Sequence, residues 1–566
     1  MKLVECVPNF SEANNTATIE AISNTIRSID GVTLLDVDSS VDTNRTVMTF
    51  VGTPERVSLA AFNAIKIASE LIDMSKHEGS HSRIGATDVC PFIPISEISI
   101  DECKVFADQV AEKVGSQLNI PVYLYERSAK FDDRKNLAHI RKGEYEGLKN
   151  KLNDPLWKPD YGPATFNPRS GATVIGVRDF LIAYNINLNT KNTRIATDIA
   201  FEIREKGRSK RIPNPNSPIL LDGEIERNTD GTPKKIPGIF KDVKAVGWYV
   251  DEFKRAQISI NFNNYQEATI HHVYDKVSEL AHLRGVRVTG SELVGLIPID
   301  AILMAGKYFL LKQRMTTGIP VKDIIEAAIQ GLGLNDVTLF DPNEKIIEYA
   351  VSNKKNTLMS MNTNDLIQEF SLKSATPGGG SASALAGSLG ASLCSMVSAL
   401  TFEKALKADI KDKMLELGDS SQKIMVELSE CVDNDTMAFN SIILANRLPS
   451  DSNKLEEIKK IEIEKANKLS VEVPFKIASL SLENLKIAKI LAINGYKPSI
   501  SDINVASELS LAGLKGAVAN ILINLPNIED QKFVTKKKNQ ANKMIIQSEA
   551  LINFINIEST KIADGQ

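Results

Sequence analysis

The hydrophobic spacing of this chain changes character once, near residue 350, and that change limits the folds open to it. Before it, short strand-like runs alternate with helical stretches. The runs are Gly31–Val37, Thr46–Gly52, Pro121–Tyr125, Phe180–Leu188 and Gln257–Phe262. In stretches such as Arg56–Met74 and Asp101–Val114, apolar residues recur at spacings of three and four. Such alternation predicts α/β architecture. After residue 360 the strand signals nearly vanish. Asn364–Phe370, Ser381–Leu400, Ile410–Leu448, Leu455–Ile493, Val505–Leu525 and Lys536–Glu558 all read as helix. The expectation is a multidomain chain in which two α/β subdomains precede an all-α helical domain. The boundaries read as 1–167, 168–326, a linker region at 327–363, and 364–566.

At 566 residues the chain is long enough for about three folding units. Its 43% apolar and 24% charged content is that of a globular protein, which excludes a disordered chain. A net charge of −4 supplies no global attraction to nucleic acid or anionic membrane, so neither is expected as a partner. Five scattered cysteines without a C-x-x-C pair argue against a disulfide framework or zinc ribbon and for a reducing cytoplasm. The N-terminal MKLVECVPNF lacks the apolar core of a signal peptide. Ser381–Leu400 is long enough to span a bilayer, but its repeated Ser and Gly and the charges at Glu403 and Lys404 favour a tightly packed core helix.

Several segments carry residues suited to chemistry. His77–Pro94 (HEGSHSRIGATDVCPFIP) places His81 in a polar loop with Arg83 and Asp88; an imidazole can carry a proton there while Arg83 binds a carboxylate. His77 and His81 match H-E-x-x-H literally, but Gly79 and Ser80 break the helix that a zinc site needs, and no metal is expected. Asp36 and Asp38, two apart on a strand, share a face. Asn44 and Arg45 follow and are suited to an acidic ligand. Tyr161–Thr173 is an irregular loop bearing Arg169. Residues 206–246 hold five prolines and form an excursion outside the core. In the helical half, TPGGGS at Thr376–Ser381 offers free backbone N–H groups ahead of a helix. Asp409, Asp412, Asp433 and Asp435 lie on helix faces, and Asn520 and Asn524 lie one turn apart.

Taken in order, LVECVPNFSE, LLDVDSSVDTNRTVMTFVG, HSRIGATDVCPFIP, PVYLYERSA, IRKGEYEGL, FLIAYNINL and VGWYVDE resemble successive blocks of glutamate formimidoyltransferase. TPGGGSASALAGSLGASL, CVDNDTMAFNSI, SDINVASEL and ANILINL resemble the cyclodeaminase domain. The blocks span nearly the whole chain and resemble the fused formimidoyltransferase-cyclodeaminase family. The resemblance implies transfer of a formimidoyl group from N-formimidoyl-L-glutamate to N5 of tetrahydrofolate. Closure to 5,10-methenyltetrahydrofolate with release of ammonia would follow, in histidine degradation.

The resemblance also implies two subdomains whose sheets pack around a folate cleft, and a symmetric homo-oligomer. Tetrahydrofolate, with or without a polyglutamate tail, would be the co-substrate, without a metal or redox cofactor. The family's transferase base falls on His81 and its supporting acid on Asp38. Its folate loop falls on Gly162, Pro163, Ala164, Thr165, Phe166, Asn167, Pro168, Arg169, Ser170 and Gly171. The family's cyclodeaminase aspartate lies on the helix after TPGGGS. An ungapped reading puts Lys411 there, which favours the neighbouring Asp412, with Asp409 second; Asp433 and Asp435 in VDNDTMAF are further candidate site acids. The alternative is a transferase whose helical domain is an oligomerisation module or a methenyltetrahydrofolate cyclohydrolase.

Overall fold

The computed structural model describes residues 2–41, 43–79, 81–251, 253–351 and 357–563. Contacts divide the chain into two units, Met1–Met304 with Leu332–Ser352, and Ala305–Gly331 with Asn353–Gln566.

The first unit opens with β1 (Leu3–Cys6), β2 (Asn9–Phe10), α1 (Thr16–Arg27), β3 (Val32–Ser40), β4 (Arg45–Gly52), α2 (Pro54–Leu71), β5 (Thr87–Ser96), α3 (Ile100–Gln117) and β6 (Val122–Glu126). The short helices α4 (Leu137–Arg141) and α5 (Glu144–Leu152) and strand β7 (Thr173–Val177) complete the first sheet and its cover. Its strand order is β3, β4, then β1 and β2 in one slot, then β5, β7 and β6. Pro8, which has no N–H to donate, marks the break between β1 and β2. The β5–β7 and β7–β6 pairs are parallel and the other pairs antiparallel.

Strand alternation divides this sheet's side chains. Val4, Cys6, Met48, Phe50, Cys90 and Phe92 pack under α1, α2 and α3. On the opposite face Val89, Tyr123 and Val174 are covered by α4 and α5. That cover leaves the β1, β3 and β4 end of the face to Glu5, Asp36 and Thr49.

The second sheet comprises β8 (Ile182–Leu188), β13 (Val243–Val250), β14 (Arg255–Phe262) and β15 (Val288–Val294), in the antiparallel order β13-β14-β8-β15. Helices α6 (Thr193–Ile203) and α7 (Ile270–Leu283) cover one face. Between α6 and β13 run two short ribbons, β9 (Arg208–Ser209) with β12 (Lys235–Ile236) and β10 (Arg211–Ile212) with β11 (Glu224–Ile225). The excursion expected as loop is therefore ordered.

Two boundaries differ from expectation. Thr173–Val177 pairs with β5 and β6, so the first sheet takes in a strand that the reading at residue 167 assigned to the second subdomain. The stretch 327–363, expected as a linker, holds the end of α9 (Val321–Leu332), which follows α8 (Ile299–Lys312), and then α10 (Pro342–Lys345) and α11 (Ile347–Val351). Ser291 donates to the Leu332 carbonyl and Glu348 accepts from Ile299 N–H, which ties residues 332–351 into the first unit. Of the polar stretch 352–363, residues 352–356 lie outside the described residues.

The second unit is helical: α12 (Thr363–Glu369), α13 (Gly379–Lys404), α14 (Ala408–Asn446), α15 (Asn453–Asn494), α16 (Ile500–Asn524) and α17 (Gln531–Ala563). Helix α13 packs against α14, α15 and α16. Small residues permit the approach: a methyl at Gly390 would meet Ser510 Oγ at 2.5 Å. By length and composition alone α13 could cross a membrane, as could residues 497–527; half of its apolar window is buried inside the helical unit.

Candidate functional site

His81 lies in the loop between α2 and β5 and is half-buried. Arg45, the first residue of β4, places Nη1 2.6 Å from His81 Nε2. A guanidinium only donates, so Nε2 is the acceptor and the ring is the neutral tautomer protonated on Nδ1. Burial first, then the charges of Arg45 and Arg141, hold the His81 pKa below its usual value; Asp88 opposes them. Asp88 is itself buried, accepting from Ile84 N–H at 2.9 Å and from Arg141.

The loop expected to contact folate is joined to this one. Ala86 N–H donates to Ser170 O at 2.9 Å, and Ala172 N–H donates to Ile84 O at 3.0 Å. Gly171, at φ +65°, makes the junction: a Cβ there would lie 2.2 Å from the Ile84 carbonyl. Asn167 Oδ1 accepts from the N–H groups of Arg169 and Ser170, and Tyr145 donates to Pro168 O at 2.5 Å.

Two expected roles find other occupants. Arg83 is consumed by Glu144 and Glu146 on α5 and by His77 Nδ1, so it is not free for a substrate carboxylate. His77 Nε2 in turn donates to the Asn44 carbonyl at 3.0 Å. Among the described residues no group of three or more His, Cys, Asp or Glu side chains is placed to hold a metal ion. Arg169 donates to the Glu70 carbonyl.

Asp38 is exposed and makes no hydrogen bond or ion pair among the described residues. Its connection to His81 runs through the sheet face. Asp36 is registered with Thr49, Asp38 with Val47 and Ser40 with Arg45, so the three acceptors and Arg45 share one face. That face continues into a cavity of about 490 Å3, walled by Glu5, Asp36, Thr49 and Arg178 from the first subdomain and Ala183 and Val294 from the second.

From Ala183 the face of the second sheet turned away from α6 and α7 continues as Asn185 and Asn187, registered with Glu292 and Gln257. Both amide atoms of Asn187 are buried and lack a hydrogen-bond partner among the described residues. A polar sheet face and an unsatisfied amide are costly unless a ligand answers them. Glu5, 4% exposed, has its carboxyl pushed up to about 7 by burial, with Arg178 partly opposing.

Sequence reasoning did not single out Glu5, Arg178, Asn187 or Glu292. The signal was present in LVEC and FLIAYNINL, where an acid and an amide interrupt apolar strands.

In the helical unit, a cavity of about 600 Å3 opens where the TPGGGS turn meets α14, α15 and α16. Asp435 lines it with Thr376, Asn467, Asn520 and Asn524. Ser381 Oγ, at the start of α13, donates to Asp435 Oδ2 at 3.2 Å. Burial raises the Asp435 pKa, against the hydrogen bonds from Ser381. Gly380 is required by this contact, because a Cβ would stand 2.1 Å from Asp435 Oδ1. The Nδ2 groups of Asn467, Asn520 and Asn524 donate to backbone carbonyls, which leaves each Oδ1 without a protein donor among the described residues.

Asp412 and Asp409 do not line this cavity. Both are exposed near the start of α14, and Asp412 is about 35 Å from Asp435 along the helix axis at 1.5 Å per residue. Lys411 extends over the Phe402 ring at 5.0 Å. Asp433 accepts from Leu358 N–H at 2.7 Å, a cap between segments.

Three family profiles tile the chain: "Formiminotransferase domain, N-terminal subdomain" over residues 3–178, "Formiminotransferase domain" over 183–352, and "Formiminotransferase-cyclodeaminase" over 362–543. The formimidoyltransferase-cyclodeaminase of Gallus gallus is 39% identical over 96% of this chain and 96% of its own length. The glutamate formimidoyltransferase of Streptococcus pyogenes serotype M1 is 41% identical over 55% of this chain and 93% of its own. The methenyltetrahydrofolate cyclohydrolase of Methylorubrum extorquens is 28% identical over 31% of this chain and 85% of its own. With the Gallus gallus relative 39% identical over 96% of both chains and profiles covering both units, the chain belongs to the formimidoyltransferase-cyclodeaminase family.

Proposed function

We propose that the first unit transfers a formimidoyl group from N-formimidoyl-L-glutamate to N5 of tetrahydrofolate, and that the second closes the product to 5,10-methenyltetrahydrofolate with loss of ammonia. The observation that carries the reading is the junction of the His81 loop with the 162–171 loop through Gly85 and Gly171, residues 86 positions apart in the chain. It joins the loop that carries His81 to the loop that the resemblance assigns to folate, which supports the reading.

In the transfer, N5 attacks the amidine carbon and must lose a proton. A neutral histidine is suited to accept it, and the glutamate nitrogen takes a proton as its bond to that carbon breaks. For this Nε2 to act, Arg45 must shift, and a substrate carboxylate offers its guanidinium a better acceptor than an imidazole. In the second reaction N10 attacks the formimidoyl carbon and ammonia departs with a proton. Asp435, whose carboxyl burial holds above the usual aspartate value, is suited to supply it. The amide oxygens of Asn467, Asn520 and Asn524 are suited to the N–H groups of a pterin. Five free, buried cysteines support a reducing compartment, the cytoplasm.

The test supplies the purified chain with N-formimidoyl-L-glutamate and tetrahydrofolate and follows ammonia and methenyl absorbance together. Equal yields of both are expected. Transfer without either would leave a transferase with an inert helical domain, and no transfer would remove the proposal altogether.

A further inference from the structure

The excursion at 206–246 folds back on α6 and encloses a cavity of about 210 Å3 walled by Arg204, Lys206, Arg208, Arg211 and Lys235. Among the described residues no acidic side chain lines it. The pairing of Lys235 with Ser209 across β9 and β12 brings together cations from distant parts of the segment.

Their charge is poorly answered. Among the described residues Arg208, 4% exposed, is the one of these cations that reaches carboxylates, those of Asp198 and Glu202, and both acids are shared with Arg284. Its buried Nε has no hydrogen-bond partner among the described residues. Arg211 donates to the Leu221 and Gly223 carbonyls and Lys235 to Ser209 Oγ. Asp222, next in the chain to the pocket residue Leu221, is held by Arg194 and Ser217. Arg204 stacks on the Phe201 ring at 3.8 Å and spends only Nε on a carbonyl, that of Gly207. Burial and the charge of Arg208 depress the Arg204 pKa, as expected where a guanidinium lacks an anion.

We infer that this pocket is a binding site for a small polyvalent oxyanion, phosphate-bearing or polycarboxylate, separate from both proposed active sites. Planar guanidinium forks match both chemistries. The volume is below the roughly 300–1,000 Å3 of drug-sized ligand sites, which fits a compact anion or a terminal anionic group.

The experiment titrates the full chain with inorganic pyrophosphate and, separately, with citrate, by calorimetry at low salt. Saturable binding of one anion per chain is expected for at least one probe, weakening as salt rises. Pyrophosphate alone would identify a phosphate-bearing ligand, citrate alone a polycarboxylate, and both a general oxyanion site. Arg204→Gln and Lys235→Gln, which leave the Arg208–Asp198 pair intact, should each weaken binding roughly tenfold, the scale of one charge-assisted hydrogen bond. Absence of saturable binding by either probe, or binding unchanged in both variants, overturns the inference.

Discussion

Arg45 Nη1 donates to His81 Nε2 across 2.6 Å, so a cation occupies the lone pair that the proposed base would use. Repulsion between that cation and a second positive charge helps hold the His81 pKa below its usual value, after burial, which contributes more. A lowered pKa keeps the imbalance on the neutral side: His81 stays a competent base until the pH falls through that depressed value. Arg45→Gln removes the repulsion, so the acid limb of the transferase kcat/KM profile should move to higher pH. An unmoved limb would show that Arg45 does not govern this ionisation. Arg45→Gln should also raise KM for N-formimidoyl-L-glutamate if Arg45 answers its carboxylate.

His81→Ala should lower transferase kcat by about 10²–10⁴-fold, the usual worth of a positioned proton carrier. The same protein should still close supplied 5-formimidoyltetrahydrofolate, because the second cavity lies wholly within the helical unit. Asp38→Asn should cost less than His81→Ala, since Asp38 reaches His81 only through the sheet face it shares with Arg45. An Asp38→Asn loss as large as that of His81→Ala would restore Asp38 to direct partnership with the imidazole.

The helical unit offers a choice between acids. Asp435→Asn should abolish ammonia release while leaving formimidoyl transfer intact; Asp412→Asn and Asp409→Asn, both on exposed helix surface, should change ammonia release by less than about twofold. Gly380→Ala tests the same contact from the other side, because its methyl would collide with Asp435 Oδ1. It should reduce deamination with little loss of helical content. Activity lost in Asp412→Asn and retained in Asp435→Asn would reverse the assignment.

These sites differ in how far the sequence announces them, and the reason is physical. Local periodicity made the long helices legible: Leu455–Ile493 falls within α15, and Ile410–Leu448 overlaps α14 but for two residues. The polar, irregular loops His77–Pro94 and Tyr161–Thr173 were legible by their residue types, and their roles only through the family resemblance. What holds them together was not, because the partners are distant. Arg83 looked free for a ligand until Glu144 and Glu146, more than sixty residues on, were seen to take it. Asp88 depends in the same way on Arg141, fifty-three residues away. Strand β7 was assigned to the wrong subdomain because its Gly-then-strand entry matches the start of a new unit, and only parallel pairing with β5 and β6 places it. Glu5 stayed silent because a lone acid in a strand ordinarily faces solvent.

Glu5 supplies a stability test that needs no substrate. Burial moves its carboxyl from 4.5 in the ordinary state to about 7 in the folded protein. Between those values the folded chain keeps a proton that the unfolded chain has released, so folding is penalised increasingly as pH rises from about 4.5 to 7. The full penalty is about 3 kcal/mol, at 1.36 kcal/mol for each pKa unit. Glu5→Gln keeps the shape and removes the ionisation. Relative to wild type, its urea midpoint should therefore rise with pH across that window and stay level above it. Contributions from every other titrating group are common to both proteins and cancel in the difference. A midpoint difference that is the same at pH 5 and pH 8 would mean that Glu5 reaches solvent through the 490 Å3 cavity and ionises freely. In that case the cavity would be a wet channel, with room to admit a charged substrate group beside Arg178.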